Sequence, residues 1–190
     1  DYSIDIIKPK LGDIFKLNSS AVSIVLDDLL KDKDNTLYNI PLAIHFNSET
    51  DVDRLEKAFS KVIDYQDLLN AKIIQKDDEF YFKLSEKPEI KFNVKHIKEN
   101  QLEAEYREFI KPFDIFNEQL FRYELLKIED DYVLLLDFYH TIFDGESSKI
   151  FIRDLMDFYK NVDCEKKQLL NINQYTLLEE DLSQKTQGYW

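Results

Sequence analysis

Tyr132-Val133-Leu134-Leu135-Leu136-Asp137-Phe138-Tyr139-His140-Thr141-Ile142-Phe143-Asp144-Gly145-Glu146-Ser147 opens with the most apolar run of the chain and closes just past an Asp-Gly pair. An apolar run of this length, bounded by turn residues, reads as a buried strand. Beyond it, from Ser147 or Ser148 onward, Ile150, Phe151, Leu155 and Phe158 recur near helical spacing, so a helix follows. Strand, short loop and helix together put the His140 imidazole at the edge of a sheet, where substrate can reach it. The same residues also fit a plainer role, with His140 as a structural residue at a strand end and Asp144-Gly145 as an ordinary strand-to-helix turn.

Immediately upstream, Leu120 to Ile128 reads as a second strand joined to Tyr132–Tyr139 through Glu129-Asp130-Asp131, an antiparallel hairpin that delivers His140. Leu102 to Ile110 is helical by period and ends before Pro112. Glu89 to Ile97 alternates and suggests a strand, with His96 an ordinary surface or edge residue. Ala71–Gln75 and Phe80–Leu84 form a hairpin around Lys76-Asp77-Asp78-Glu79. Thr50 is expected to cap a helix whose apolar face is Leu55, Ala58, Phe59, Val62 and Ile63. Leu37 to Phe46 suggests a strand, in which Pro41 points to an edge or a bulge. Ser19 or Ser20 caps a helix running to about Leu30, and Lys31 to Thr36 is a loop. The first dozen residues show no period. The fold class is therefore α/β of the α+β type: a mixed, largely antiparallel sheet with packed helices, since the elements do not alternate as a doubly wound sheet requires.

Composition narrows the functions. A formal net charge of -13 over 190 residues disfavours a nucleic-acid backbone or an anionic membrane surface as partner. No basic-then-apolar leader is visible, and no apolar run approaches the roughly 18 residues of a membrane span. The single cysteine, Cys164, cannot form an internal disulfide, and a cytoplasmic location is the expectation. Three glycines leave no phosphate-cradling loop of the nucleotide-binding kind, and three scattered histidines with one cysteine give poor support for a metal site.

Tyr139-His140-Thr141-Ile142-Phe143-Asp144-Gly145 resembles the His-His-x-x-x-Asp-Gly motif of the condensation domains of non-ribosomal peptide synthetases, which share the chloramphenicol acetyltransferase-like fold. The context strengthens the likeness. Lys111-Pro112-Phe113-Asp114-Ile115 and Gln119-Leu120-Phe121-Arg122 resemble that family's Pro-Phe-Asp-Leu and Pro-Leu-x-Arg segments. Tyr38-Asn39-Ile40-Pro41 is similar to its Tyr-Asn-Ile-Pro strand start. Asp64 to Ile73 lies where the family has His-Glu-x-Leu-Arg-Thr-x-Phe, and Ser19-Ser20-Ala21 stands in place of Ser-x-Ala-Gln. Tyr139, Val22 and Asn70 depart from the motif histidine, glutamine and arginine.

The resemblance implies a domain of two lobes of which residues 17–160 are the N-terminal one, with an arm at 1–16 and a connecting segment at 161–190 leading toward a second lobe. It implies amide formation between substrates held as thioesters on the phosphopantetheine arms of donor and acceptor carrier proteins, with no cofactor bound to this chain itself. It assigns His140, the second residue of the motif pair, as base or positioner. Gly145 becomes a possible oxyanion amide, while Asp144 and Tyr139 shape the site. The family's aspartate pairs with an arginine expected in the second lobe, so Asp144 is here expected to be solvated or to meet Arg122 or Arg153. The alternative is a degenerate, non-catalytic module that binds carrier proteins or recruits enzymes. Epimerisation or ester formation also fit, and the cyclising subclass, which replaces the histidine pair with aspartate, does not.

Overall fold

The structure, a computed structural model, describes residues 9–166. In chain order it contains β1 (Ile14–Lys16), α1 (Ser19–Leu29), β2 (Asn39–Phe46), α2 (Val52–Tyr65), β3 (Ala71–Lys76), β4 (Glu79–Leu84), β5 (Lys95–Ile97), α3 (Leu102–Phe109), β6 (Phe121–Ile128), β7 (Asp131–Tyr139) and α4 (Gly145–Lys160). The α+β class is observed, but the strands form two sheets rather than one. A four-stranded sheet has the order β2-β7-β6-β5, and a three-stranded antiparallel sheet has the order β1-β4-β3. Pro41 lies on β2, an edge strand of the larger sheet, where its missing N–H breaks no internal ladder.

The apolar run becomes the central strand β7, paired antiparallel with β2 on one side and β6 on the other. From Val133 to Tyr139 every residue is buried, because both faces of the sheet are covered. On one face Phe138 packs against Phe151 of α4, which in turn meets Phe59 of α2, inside the main core that also takes Leu134 and Leu136. On the other face Val133 and Leu135 join Leu126, with Leu102, Tyr106 and Phe109 of α3 packed over them. The hairpin around Asp77 and Asp78 is present, and both aspartates have positive φ (50° and 62°), as a type I′ turn requires.

Several local expectations are corrected. Asn18, not Ser19 or Ser20, caps α1, its side-chain oxygen accepting the Ala21 N–H at 2.8 Å. Asp51, not Thr50, caps α2 by accepting the Arg54 N–H. The strand expected over 89–97 shrinks to Lys95–Ile97, which runs parallel to β6. Upstream of it side chains take the place of a ladder. The Lys91 N–H donates to the Tyr123 hydroxyl at 3.1 Å and the Phe92 N–H to the Glu56 carboxylate at 2.6 Å, so no strand partner is needed there. The expected arm at 1–16 ends in β1, which pairs with β4, while the segment 161–190 lies mostly outside the described residues.

Candidate active site

The site forms where the central strand stops. Tyr139 donates its N–H to Leu120 O at 2.8 Å, and His140 donates its own to Tyr38 O at 2.9 Å, so both neighbouring strands hold the backbone up to the histidine. The chain then turns, with the Ile142 N–H bonded to Tyr139 O at 3.0 Å. Ile142 and Phe143 are buried, and Phe143 lies flat on Phe138 with centroids 3.8 Å apart and planes 5° apart. The loop 140–144 is thus fastened by two apolar anchors, and the half-buried His140 sits between the strand end and the start of α4. Among the described residues no hydrogen bond fixes its imidazole.

Asp144 starts α4. Its carboxylate accepts the Ser147 N–H and the Ser147 hydroxyl, each at 2.7 Å, so the helix begins two residues before the earlier expectation. These Ser147 bonds, the hydroxyl first, hold the carboxyl below the ordinary range, and the nearby His140 adds a smaller effect. Neither Arg122 nor Arg153 pairs with it: Arg122 turns to the carbonyls of Lys111 and Pro112, and Arg153 to Asp154. Gly145 is the first helical residue rather than a turn residue, and a Cβ there would meet nothing within 4 Å. The fold of this chain therefore does not demand a glycine. As the first residue of α4, Gly145 presents one of the amides that have no partner within a helix, at its electropositive end.

Tyr139 faces the other way, as strand alternation dictates. Its ring is 2% exposed and packs edge-on to Tyr38 and Phe113, and its hydroxyl donates to Asp28 of α1 at 2.9 Å. Burial first, then that hydrogen bond, pushes the phenol far above its ordinary range. Beside it the Tyr38 hydroxyl donates to Asp27 at 2.6 Å, so adjacent acids of α1 hold two tyrosines of the strand ends.

Three further residues belong to this region. Asp137, fully buried, accepts from the Asn39 amide at 2.7 Å, and Arg122 lies 3.9 Å away. A lone acid inside Leu134-Leu135-Leu136-Asp137-Phe138 is the signal in the sequence that marks it. Burial pushes its carboxyl up to about 6 against the opposing pull of Asn39 and Arg122. Among the described residues no cluster of three or more His, Cys, Asp or Glu could hold a metal, and no helix is long and apolar enough to cross a membrane.

Comparison with known proteins identifies the class. A condensation-domain family profile matches residues 29–190, and the chain belongs to that family. It is 29% identical to surfactin synthase subunit 2 of Bacillus subtilis (strain 168) over 94% of its length, and 27% identical to bacitracin synthase 2 of Bacillus licheniformis over 84%. It spans only 5% and 6% of those proteins. Among solved structures, the X-domain in complex with OxyB from teicoplanin biosynthesis aligns with a TM-score of 0.82 at 17% identity, covering 98% of this chain and 42% of that one. The starter condensation domain of the rhizomide synthetase RzmA aligns at 0.75 and 20%, covering 91% and 44%. These matches place the fold among condensation domains.

Proposed function

We propose that this chain is the N-terminal lobe of a condensation domain that forms amide bonds between thioester-bound substrates, with His140 at the reacting centre. The observation that carries this reading is the placement of His140: half-buried, at the end of the central strand, beside the capped start of α4. The substrates are an amine and a thioester, each tethered to the phosphopantetheine arm of a carrier protein. The amine nitrogen attacks the thioester carbonyl carbon, the C–S bond breaks, and the departing thiolate takes up the proton that the nitrogen loses.

A thioester is already activated, so the main demands are a deprotonated amine and a fixed approach. An imidazole, whose ordinary pKa lies near neutral, can take that proton or hold the amine in place. The Gly145 amide at the head of α4 is the donor for the developing oxyanion. Asp144 holds that helix start through Ser147, and the second lobe supplies the opposite wall. Amide formation by the intact protein and its His140→Ala variant, with loaded carrier proteins, tests the assignment. A loss of about 10²- to 10⁴-fold is expected, and equal rates would remove His140 from the chemistry.

A second reading, a non-catalytic module that binds carrier proteins or recruits partners, draws on Tyr139 in place of the first motif histidine. The likeness in fold to an X-domain found in complex with OxyB is in keeping with it. The side chain of Tyr139 is buried away from His140 and tied to Asp28, so the substitution takes no group from the histidine's own face, which favours the catalytic reading. Binding of a loaded carrier protein without turnover, and activity gained on Tyr139→His, would reverse that preference.

A further inference from the structure

Asp137 sits three residues before His140 on β7, and its surroundings are more specific than a buried acid requires. Its Oδ2 accepts from Asn39 Nδ2 at 2.7 Å, and the same amide also donates to Lys111 O at 2.8 Å. Arg122 Nη1 lies 3.9 Å from Oδ2 and donates to Lys111 O at 2.8 Å, while Nη2 donates to Pro112 O at 3.1 Å. The guanidinium lies 4.0 Å over the Phe113 ring, which packs edge-on to Tyr139 at 5.9 Å, the residue just before the histidine. A carboxylate, an amide and a guanidinium thereby clamp Lys111–Phe113 onto the strand end. The other oxygen, Oδ1, is buried with no hydrogen-bond partner.

We infer that Asp137 is a positioning residue for the reaction at His140, acting with Asn39 and Arg122 to hold the Lys111–Phe113 segment against Tyr139 and so to set where the strand end presents the imidazole. The inference rests on the proposed role of His140. Ionised, the carboxylate draws both Asn39 and Arg122 inward. Neutral, it loses its hold on Arg122, which retains Glu118 at 3.8 Å as an outward partner. The groups facing Asp137 are the neutral Asn39 amide from β2, Arg122 from β6 and, through Asn39, the carbonyl of Lys111. Because its carboxyl lies near 6, the clamp changes state just below neutral pH.

The test combines rates with a spectroscopic measurement. Asp137→Asn keeps the shape and removes the charge, so kcat for amide formation by the intact protein should fall about 10- to 100-fold with KM nearly unchanged, as expected for a displaced reacting group. The double variant Asp137→Asn/Arg122→Met should lose no more than the larger single loss, because the two act as one unit. In the unsubstituted protein the backbone amide resonances of Phe113 and His140 should shift together with a midpoint near 6. In Asp137→Asn the Phe113 shift should vanish. Wild-type kcat in Asp137→Asn, additive losses in the double variant, or a Phe113 shift that persists would each overturn the inference. An inert His140→Ala variant alongside a fully active Asp137→Asn variant would sink this inference alone, whereas a fully active His140→Ala variant would sink the reading beneath it.

Discussion

The two faces of β7 are built on different principles. Toward α2 and α4 the strand shows Leu134, Leu136 and Phe138, an apolar row that packs into the main core. Toward α3 it begins the same way with Val133 and Leu135 but ends in Asp137 and Tyr139, which make hydrogen bonds to Asn39 and Asp28. The first face supplies a floor, because close-packed rings resist displacement. The second supplies ties, which bring α1 and the Lys111–Phe113 segment to the strand end. The proposed reaction centre at His140 would use both: Phe143 fastens its loop to the floor, and Tyr139, the residue before it, is tied to α1.

Phe138→Ala, which opens the stack of Phe143, Phe138 and Phe151, should cost about 3–5 kcal/mol. Chemical denaturation measures it, and a loss under 1 kcal/mol would show that the floor is not what holds the loop.

Asp137 should behave oppositely. Its folded carboxyl is raised from 3.8 to about 6, so the fold prefers the neutral form. Stability should therefore fall as pH rises from the ordinary carboxylate range through about 6 and level off above it, by roughly 3 kcal/mol in total. Asp137→Asn cannot ionise and should lack that fall. Unfolding series from pH 3 to 8 that run parallel for the two proteins would contradict this.

Tyr139→Phe keeps the ring and deletes the bond to Asp28, for an expected loss of about 1–2 kcal/mol. A larger loss would make the tie to α1 as important as the floor. Asp144→Ala should cost about 1 kcal/mol as a lost helix cap. The carboxyl of Asp144 is held below its ordinary range, so this contribution is present at neutral pH and is lost as pH falls through its lowered folded value. A difference between Asp144→Ala and the unsubstituted protein that persists unchanged in strong acid would exclude the cap as its source.

Much of this was legible in the chain. The apolar run, the two hairpins and the period of the helices gave the class and the strand-loop-helix setting of His140, because burial of a regular element imposes its own spacing on apolar residues. Cap positions were less legible: Asn18 precedes Ser19, Asp51 follows Thr50, and Asp144 stands three residues before Ser147, each an alternative that could have served, and backbone geometry chose among them. The 89–97 segment alternates like a strand, yet the Glu56 carboxylate and the Tyr123 hydroxyl, distant in sequence, took its amides.

The sequence by itself determined that a histidine would stand at the end of a buried strand with Asp144 close behind it, since those relations are local and periodic. Only the tertiary structure decided that Tyr139 turns away to Asp28, that Asp144 serves Ser147 rather than an arginine, and that Asp137, Asn39 and Arg122 meet. Asp137 and Asn39 lie 98 positions apart in the chain. A contact across such a separation forms only when β2 and β7 pair in one register, and a single-residue slip would turn Asp137 to the opposite face.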